Sequence, residues 1–233
     1  MPDKHISSQF DAELNTISTL VLEMGGLVES QLHQAVYALV HMSRESAEQV
    51  MENEVRINQF EIQIDQAVIS IIGRRQPTAR DLRFLMAISR ATQNLERAGD
   101  EVARIARMVK SIVDSGSPRN LPSSELRVAA DLAAGMLRKT LDAFARLDTT
   151  MAVAIIRSDD QIDNEYNGFM RKLITYMMED PRTISASLDL MFLAKSIERV
   201  GDHAKNIAEQ IIFIVNGEDV RHSSMEKVES AAG

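Results

Sequence analysis

The sequence contains no cysteine and no tryptophan, and aromatic residues make up only 4% of its 233 positions. Without thiols, disulfides, iron–sulfur clusters, thiolate metal sites and cysteine nucleophiles are all excluded. Any bound metal would therefore have oxygen or imidazole ligands.

Long hydrophobic runs are also missing. The longest apolar stretches, such as residues 211–215, are far shorter than a membrane-spanning helix. The first 14 residues lack both the apolar core of a secretory signal and the arginine-rich character of a transit peptide. We therefore expect a soluble, cytoplasmic protein.

Basic residues are outnumbered, with 26 Lys and Arg against 34 Asp and Glu and a formal net charge of -8. This balance disfavours non-specific binding to nucleic acid or to an anionic membrane surface. One local basic group, Arg74, Arg75, Arg80 and Arg83, surrounds a predicted turn. We interpret it as a solvated loop or a contact for a partner.

The residues that dominate the sequence, namely Ala, Leu, Ile, Met, Glu and Arg, are typical of long packed helices. Between residues 80 and 113, small or apolar residues recur at alternating spacings of three and four, which predicts a coiled-coil-like seam. The seam residues are Leu85, Ile88, Thr92, Leu95, Gly99, Val102, Ala106, Val109 and Val113.

Caps and helix breakers divide the chain into six predicted helices joined by short connections, so sequential helices should pack antiparallel. The predicted ranges are 7–41, 45–73, 79–114, 123–147, 149–179 and 183–216. The fold class is all-α, with two tandem, pseudo-symmetric three-helix bundles at residues 1–117 and 118–217. Residues 218–233 lose apolar periodicity and are predicted to be a flexible tail.

An internal repeat supports the division into two bundles. The segments NLERAGDEVARIARMV (94–109) and SIERVGDHAKNIAEQI (196–211) align without gaps at an offset of 102. A weaker match, at an offset near 105, relates VRINQFE (55–61) to DQIDNEY (160–166) in the middle helices.

Acidic residues four positions apart recur in both halves, and this spacing places each pair on one helix face. The pairs are Glu61 with Asp65, Glu96 with Asp100, Asp159 with Asp163, and Glu198 with Asp202. Like charges at this spacing destabilise a helix unless a cation intervenes. An alternative interpretation is that lysines and arginines neutralise them.

Local cations differ among these pairs. Asp100 has Arg104 one turn away, and Asp202 has Lys205 three residues away. Neither middle-helix pair has a Lys or Arg three or four residues away in either direction.

Glycine occupies the same seam position in both halves, as Gly99 and Gly201. Glycine within a helix costs about 1 kcal/mol relative to alanine. Its duplication therefore suggests that a neighbouring helix approaches closely at both positions, which would bring carboxylate pairs together.

Carboxylates that converge from two helices are hard oxygen ligands. We therefore expect one acidic metal-binding surface per bundle, holding a divalent or trivalent cation such as Mg, Ca, Mn or oxidised Fe, whereas Zn and Cu suit such ligands less well. The Glu-x-x-His motif of carboxylate di-iron proteins is absent. His203 is a weak accessory ligand, and His5, His33 and His41 are interpreted as surface residues.

No phosphate-binding glycine loop, nucleophile elbow, zinc-protease motif or plausible Ser/His/Asp set occurs. We expect a protein that acts by binding and has no catalytic residues.

The paired signatures LERAGDEVARIA and IERVGDHAKNIAE, with RQPTARDLRF and YMMEDPRTIS before them, resemble the PhoU family of phosphate-signalling regulators over essentially the whole chain. The resemblance implies two similar three-helix bundles and a cytoplasmic adaptor without enzymatic activity. It implies that the protein restrains the phosphate-starvation response and controls phosphate uptake. Its expected partners are the high-affinity phosphate ABC transporter ATPase and a sensor histidine kinase, and a homodimer is expected.

The resemblance also implies metal binding at E/DxxxD motifs, which fall on the four acidic pairs. The two halves depart from each other here, because Asn58 stands opposite Asp163 and Tyr166 stands opposite Glu61. We therefore expect the two metal surfaces to differ.

Two other functions are considered. A carboxylate-metal enzyme, either a phosphatase or an oxidase, would need a general acid or base, and His203 is the only nearby imidazole. A lipid-surface protein is disfavoured because the polar helix faces are acidic.

Overall fold

A computed structural model describes residues 8–116 and 124–233, and the regular structure in these two ranges is entirely helical. The long helices are α1 Ser8–His41, α2 Arg44–Arg75, α3 Ala79–Asp114, α4 Ser124–Arg146, α5 Thr149–Glu179 and α6 Ile184–Asn216. A 3₁₀ turn, Pro181–Thr183, precedes α6, and a short helix α7, Met225–Ala232, follows it. The all-α prediction is confirmed, and each long helix ends within two residues of its predicted bounds.

The connection between α1 and α2 and the connection between α4 and α5 are built in the same way. Met42 and Leu147 adopt left-handed backbone conformations, with φ of 51° and 53°. Each is followed by a residue that caps the next helix: the Ser43 side chain accepts a hydrogen bond from the Ser46 amide, and Asp148 accepts one from the Met151 amide. These caps satisfy amide donors that the first helical turn leaves unpaired.

Helices α1, α2 and α3 form the first bundle, and α4, α5 and α6 form the second. The bundles pack on each other through α3 against α6 and through α1 against α4, which leaves α2 and α5 at the two outer edges. Helices α3 and α6 run antiparallel, as the contacts of Glu101 with Ser196 and of Asn94 with His203 require. The predicted boundary at residues 117 and 118 and the histidine at position 5 lie outside the described residues.

The predicted seam of α3 is buried as expected. Every seam residue from Leu85 to Val109 is buried, and Val113 is half-buried against the same core. In the described residues, no helix is long and apolar enough to cross a membrane.

The C-terminal segment differs from the prediction of a flexible tail. Gly217 ends α6 with a φ of 81°, as predicted, but residues 225–232 then form α7, which contacts α5 and α6. Val228 and Ala231 are 2% and 4% exposed. Two apolar residues three positions apart are enough to dock a short helix on an existing core, although they form too short a pattern to be recognised in the sequence.

The glycine prediction is confirmed at both positions. A Cβ atom built on Gly99 would lie 2.8 Å from Ile57 Cδ1, and one on Gly201 would lie 2.7 Å from Ile162 Cδ1. Ile57 and Ile162 are themselves related by the offset of 105. The structure therefore repeats the close approach of the middle helix to the third helix in each bundle.

The surroundings of the two glycines predict different outcomes for alanine. At Gly99 the Cγ2 atom of Ile57 is also only 3.1 Å away, whereas at Gly201 every Ile162 atom other than Cδ1 is at least 3.8 Å away. Gly201→Ala is expected to change the free energy of unfolding by less than about 1 kcal/mol, because a small shift of one methyl relieves the clash. Gly99→Ala is expected to lower it by about 1 to 3 kcal/mol, since the whole isoleucine must move.

Urea denaturation of the two variants measures this difference, with Gly168→Ala as the control. A Cβ atom at Gly168 meets nothing within 4 Å, so this variant is expected to be more stable than wild type by up to about 1 kcal/mol. Equal losses at Gly99 and Gly201 would contradict the packing described above.

Candidate metal-binding grooves

The predicted acidic residues lie in two grooves, one in each bundle. The first groove, between α2 and α3, contains Glu61, Asp65, Glu96 and Asp100. The second groove, between α5 and α6, contains Asp159, Asp163, Glu198 and Asp202. The glycine contacts hold the two helices of each groove together at equivalent heights.

In the first groove, carboxylates from two helices repel one another. Burial raises the pKa of Glu61, and the charges of Asp65 and Asp100 raise it further. Burial also raises the pKa of Glu96, as do the charges of Asp100 and Glu61, while Arg97 opposes the shift. The negative charges of Glu61, Glu96 and Asp100 therefore act on one another across the α2–α3 contact.

No lysine or arginine of the described chain forms an ion pair with the four carboxylates of the first groove. Asp65 instead accepts a hydrogen bond from the Ser89 hydroxyl, at 3.1 Å. The pair of Asp100 with Arg104, which the sequence left open, does not form, because Arg104 Nη1 lies 3.3 Å from Glu101. The charge of Arg97 lowers the pKa of Glu61 and Glu96 from a distance, but no cation of the described residues pairs directly with these carboxylates.

In the second groove, two lysines of α6 neutralise the carboxylates. Lys205 Nζ lies 2.6 Å from Asp159 Oδ2, and Lys195 Nζ lies 2.6 Å from the Glu198 carboxylate. Asp159 and Glu198 are only 4% and 9% exposed, so each buried carboxylate has a cation as its partner. Lys195 also lies over the Tyr166 ring, 5.4 Å from its centroid.

The alternative interpretation, that lysines and arginines neutralise the carboxylates, therefore holds for Asp159 and Glu198. The helix of Asp159 has no Lys or Arg three or four residues away from it, but α6 supplies Lys205 from across the groove. The repeat contained the missing signal: at the offset of 102, Lys205 corresponds to Ala103 and Lys195 to Gln93. Cations thus occur only in the second copy, at positions that face the middle helix.

Asp202 retains a perturbed environment in the second groove. Burial, together with the charges of Glu198 and Asp159, raises its pKa to about 6 against a usual value of 3.8. Asp163 is half-buried and forms no hydrogen bond or ion pair with another described residue. The second groove therefore keeps one carboxylate that is costly to ionise.

His203, the accessory ligand proposed from the sequence, faces the other bundle. Its Nδ1 atom lies 3.1 Å from the Asn94 side-chain oxygen on α3. Burial lowers its pKa to about 4, and the charges of Arg97 and Arg199 also lower it. The imidazole is thus neutral at physiological pH and is held in the contact between bundles.

The oxygen donors of the first groove fit a hard cation in chemistry and in charge, since a cation would relieve the repulsion among Glu61, Glu96 and Asp100. Over residues 8–116 and 124–233, however, no three His, Asp or Glu side chains already converge into a metal site. Binding would therefore need side-chain rotation in the groove.

Comparison with known proteins identifies the family. A family model described as the PhoU domain matches the chain twice, at residues 21–109 and 126–211. The chain belongs to the PhoU family. Both acidic grooves lie within the two PhoU matches.

Relatives of this PhoU-family chain are similar over nearly their whole length. A Burkholderia protein described as a phosphate-specific transport system accessory protein PhoU homolog is 48% identical over 233 residues, covering 100% of this chain and 99% of the relative. The Escherichia coli K12 accessory protein PhoU is 45% identical over 221 residues, covering 94% and 90% of the two chains.

Two solved PhoU structures share the fold. PhoU from Pseudomonas aeruginosa has a TM-score of 0.86 and 42% identity, and covers 90% of this chain and 100% of that one. The phosphate transport system regulatory protein PhoU from Streptococcus pneumoniae has a TM-score of 0.83 and 29% identity, with 91% and 99% covered. The fold of two tandem helical bundles is thus that of PhoU proteins, and the names of these relatives describe accessory and regulatory proteins.

The pKa of Asp202 predicts how the stability of this PhoU-family protein depends on pH. A carboxyl group whose pKa is higher in the folded state contributes stability that is complete below its unfolded pKa and is lost as the pH rises through the folded pKa. The relevant window for Asp202 runs from 3.8 to about 6, and Glu209, whose burial raises its pKa to about 7, acts in the same direction.

His203 acts in the opposite direction, because its pKa falls from 6.5 in the unfolded chain to about 4 in the folded one, so it costs stability as the pH falls below 6.5. Since two carboxyl groups oppose one imidazole, the metal-free protein is expected to show a net gain in stability as the pH falls from 7.5 to 5.5. Asp202→Asn should reduce this gain by about 1 kcal/mol, a figure discounted for its partial exposure. Urea denaturation in the presence of a chelator at several pH values measures the gain, with Asp160→Asn on the exposed face of α5 as control. An unchanged slope in Asp202→Asn would contradict the assignment.

Proposed function

We propose that this protein is a negative regulator of the phosphate-starvation response. It acts as a cytoplasmic adaptor, in the form of a homodimer, that links the high-affinity phosphate ABC transporter ATPase to a sensor histidine kinase and controls phosphate uptake. The observation that carries this proposal is the full-length similarity to proteins named as accessory to, or regulators of, phosphate transport.

The surface of the first bundle supports a role in protein docking. Three large apolar residues of α2, spaced seven apart, are exposed: Val55, Ile62 and Ile69, at 59%, 58% and 70%. Spacing of seven is that of a coiled-coil seam, and these residues lie beside the acidic first groove. A partner helix with apolar residues and a basic flank would complement this face.

The first groove is the better metal site of the two. A divalent or trivalent cation such as Fe, Mn, Zn, Mg or Ca would be held by Glu61, Asp65, Glu96 and Asp100. It would supply a positive charge in direct contact with these carboxylates. The second groove, with Asp159, Asp163, Glu198 and Asp202, already contains two lysines that compete with a cation for the same oxygens. We therefore assign it the lower affinity.

Deletion of the gene tests the regulatory role. Expression of an alkaline phosphatase reporter at high phosphate is expected to rise at least tenfold without the protein and to return to the repressed level when the gene is restored. Co-purification with the transporter ATPase and the kinase tests the adaptor role. A reporter that stays repressed in the deletion strain would refute the proposal.

Metal analysis tests the first groove. Tag-free protein loaded with manganese and dialysed is expected to retain about one ion per chain, and Glu61→Gln/Glu96→Gln is expected to retain less than a tenth of that. Glu52→Gln/Glu165→Gln, which also removes two carboxylates, both of them exposed, one on α2 and one on α5, is the control. Equal metal content in both double variants would refute the site.

The enzyme alternative gains nothing from the geometry. His203, the one imidazole that it would use, is directed to Asn94 in the contact between the bundles. We therefore retain the adaptor as the proposed function.

A further inference from the structure

A polar cavity of about 740 Å³ opens between the two bundles, along the α3–α6 contact. Residues 221–223, from the segment before α7, line one end of it. We call it the inter-repeat cavity. It lies along a different helix contact from the two acidic grooves, which are formed by α2 with α3 and by α5 with α6. Asp202 and Lys205 line both the cavity and the second groove.

Two arginines from the repeated signature meet in this cavity. Arg97 and Arg199 occupy the same position of the two repeats, at the offset of 102, and both line the cavity with exposed side chains. Each follows directly after the glutamate of its acidic groove, Glu96 or Glu198. The signature thus presents its carboxylates to the middle helix and its arginine to the other bundle.

These two arginines have guanidinium donors available for a ligand. Among the described residues, Arg97 forms no hydrogen bond or ion pair. Arg199 donates from Nη1 to Glu101 at 3.0 Å, and its side chain remains 48% exposed. Since a guanidinium has five N–H donors, both residues retain unused donors that point into one cavity.

The rest of the lining is also suited to an anion. Arg90, Lys205 and Arg221 add three cations, and the lining carboxylates are Asp202 and Glu209. Three further carboxylates, which do not line the cavity, pair with four of the lining cations: Glu101 with Arg199, Asp159 with Lys205, and Asp219 with both Arg221 and Arg90. The lining itself has five cations and two carboxylates, and Arg97 is the cation among them that pairs with no carboxylate of the described residues.

Neutral polar groups complete the wall. The side chains of Asn94, Asn206 and His203 lie together, since the Asn94 oxygen is 3.2 Å from Asn206 Nδ2 and 3.1 Å from His203 Nδ1. Gln93 and Gln210 also line the cavity, and none of its lining residues is aromatic apart from the two histidines. Such a wall offers N–H donors to oxygen-rich ligands and provides no apolar surface for a hydrophobic one.

We propose that the inter-repeat cavity binds a compound with two or more linked phosphoryl groups, held between Arg97 and Arg199. Arginine is suited to bidentate recognition of phosphate oxygens, and two guanidinium groups on opposite helices match a chain of phosphates better than a single ion. Small-molecule sites have volumes of about 300 to 1,000 Å³, so the cavity is large enough for a triphosphate. A ligand here would contact both repeats at once.

Calorimetric titration of the purified full chain tests this site. Sodium tripolyphosphate and ATP are the two probes, because they share the phosphate chain and differ in the nucleoside. Excess chelator is present throughout, so that a metal ion in the acidic grooves cannot bridge to the phosphates. At low salt, saturable binding with one ligand per chain is expected for at least one probe, and the tighter probe identifies the source of the phosphates.

Arg97→Gln/Arg199→Gln is expected to weaken binding at least tenfold. Arg107→Gln/Arg171→Gln, which removes one exposed arginine from each repeat outside the cavity, is expected to change it less than twofold. Because Arg97 forms no hydrogen bond or ion pair among the described residues, Arg97→Gln alone should keep the helical circular dichroism spectrum of wild type and still weaken binding several-fold.

Three results would overturn the assignment: no saturable binding of either probe, equal weakening in the two double variants, or binding of inorganic phosphate as tight as that of tripolyphosphate. The assay contains neither transporter nor kinase, so its outcome is independent of the proposed adaptor role.

Discussion

Lys205→Ala is expected to lower the free energy of unfolding of the metal-free protein by about 2 to 4 kcal/mol. The lysine is the partner of Asp159, which is 4% exposed, and removing one member of a buried ion pair leaves the other charge buried and uncompensated. Its charge also opposes the pKa shifts of Asp202 and Glu209, so these carboxylates become more costly to ionise. Urea denaturation with a chelator present measures the loss.

Lys110→Ala is the matched control for this prediction. Lys110 forms an ion pair with Asp114 at 2.7 Å, but the Asp114 side chain is 40% exposed. Exposed pairs contribute about 0 to 1 kcal/mol, so this variant should lose far less stability. If the two lysine variants lost the same amount, Lys205 would not be neutralising a buried carboxylate.

Glu101→Ala is expected to lower the free energy of unfolding by about 2 to 3 kcal/mol. Glu101 is 5% exposed and accepts a hydrogen bond from the Ser196 hydroxyl at 2.7 Å, across the contact between the bundles. It also accepts hydrogen bonds from Arg199 and Arg104, at 3.0 and 3.3 Å. The substitution leaves the buried Ser196 hydroxyl without this partner and removes a charged acceptor shared by two arginines.

Thermal unfolding of Glu101→Ala and Glu52→Ala separates this role from a general effect of removing a carboxylate. Glu52 is exposed on α2, and its loss should change stability by less than about 0.5 kcal/mol. A Glu101 variant as stable as the Glu52 variant would show that this polar contact does not hold the bundles together.

The helical architecture could be predicted because each signal is local. The α3 seam, the caps at Ser43 and Asp148 and the stop at Gly217 depend on residues within a few positions of one another. The close approach at Gly99 could be predicted because a helical glycine is costly and is duplicated. Helix α7 could not, since it depends on burial of Val228 and Ala231 against a surface that other helices supply.

The chemistry of the grooves was harder to predict because it depends on contacts between helices. The spacing of four picks out all eight carboxylates, but spacing along one helix pairs Lys205 with Asp202, whereas Lys205 reaches Asp159 from α6. Arg104 lies at the correct spacing for Asp100 and yet contacts Glu101. Glu101 faces the other bundle, where it also pairs with Arg199 of α6. Sequence spacing gives the helix face, whereas the partner depends on the packing angle.

The two repeats thus share the same helix packing and differ in the charged residues of their grooves. Both retain the Glu–Arg–x–Gly–Asp order and the glycine contact with an isoleucine of the middle helix. The second copy has Lys195 and Lys205 at the positions where the first copy has Gln93 and Ala103. Two lysines pair with carboxylates of the second groove, whereas no lysine or arginine of the described residues pairs with those of the first.

We expect these two lysines to decide which groove binds a metal ion. Manganese titration of wild type and of Lys195→Gln/Lys205→Ala, which introduces the first-repeat residues, tests it most directly by counting sites. We predict one site per chain in wild type, which is lost in Glu61→Gln/Glu96→Gln, and two sites in the lysine double variant. A lysine double variant that stays folded and still binds the same number of ions as wild type would contradict it.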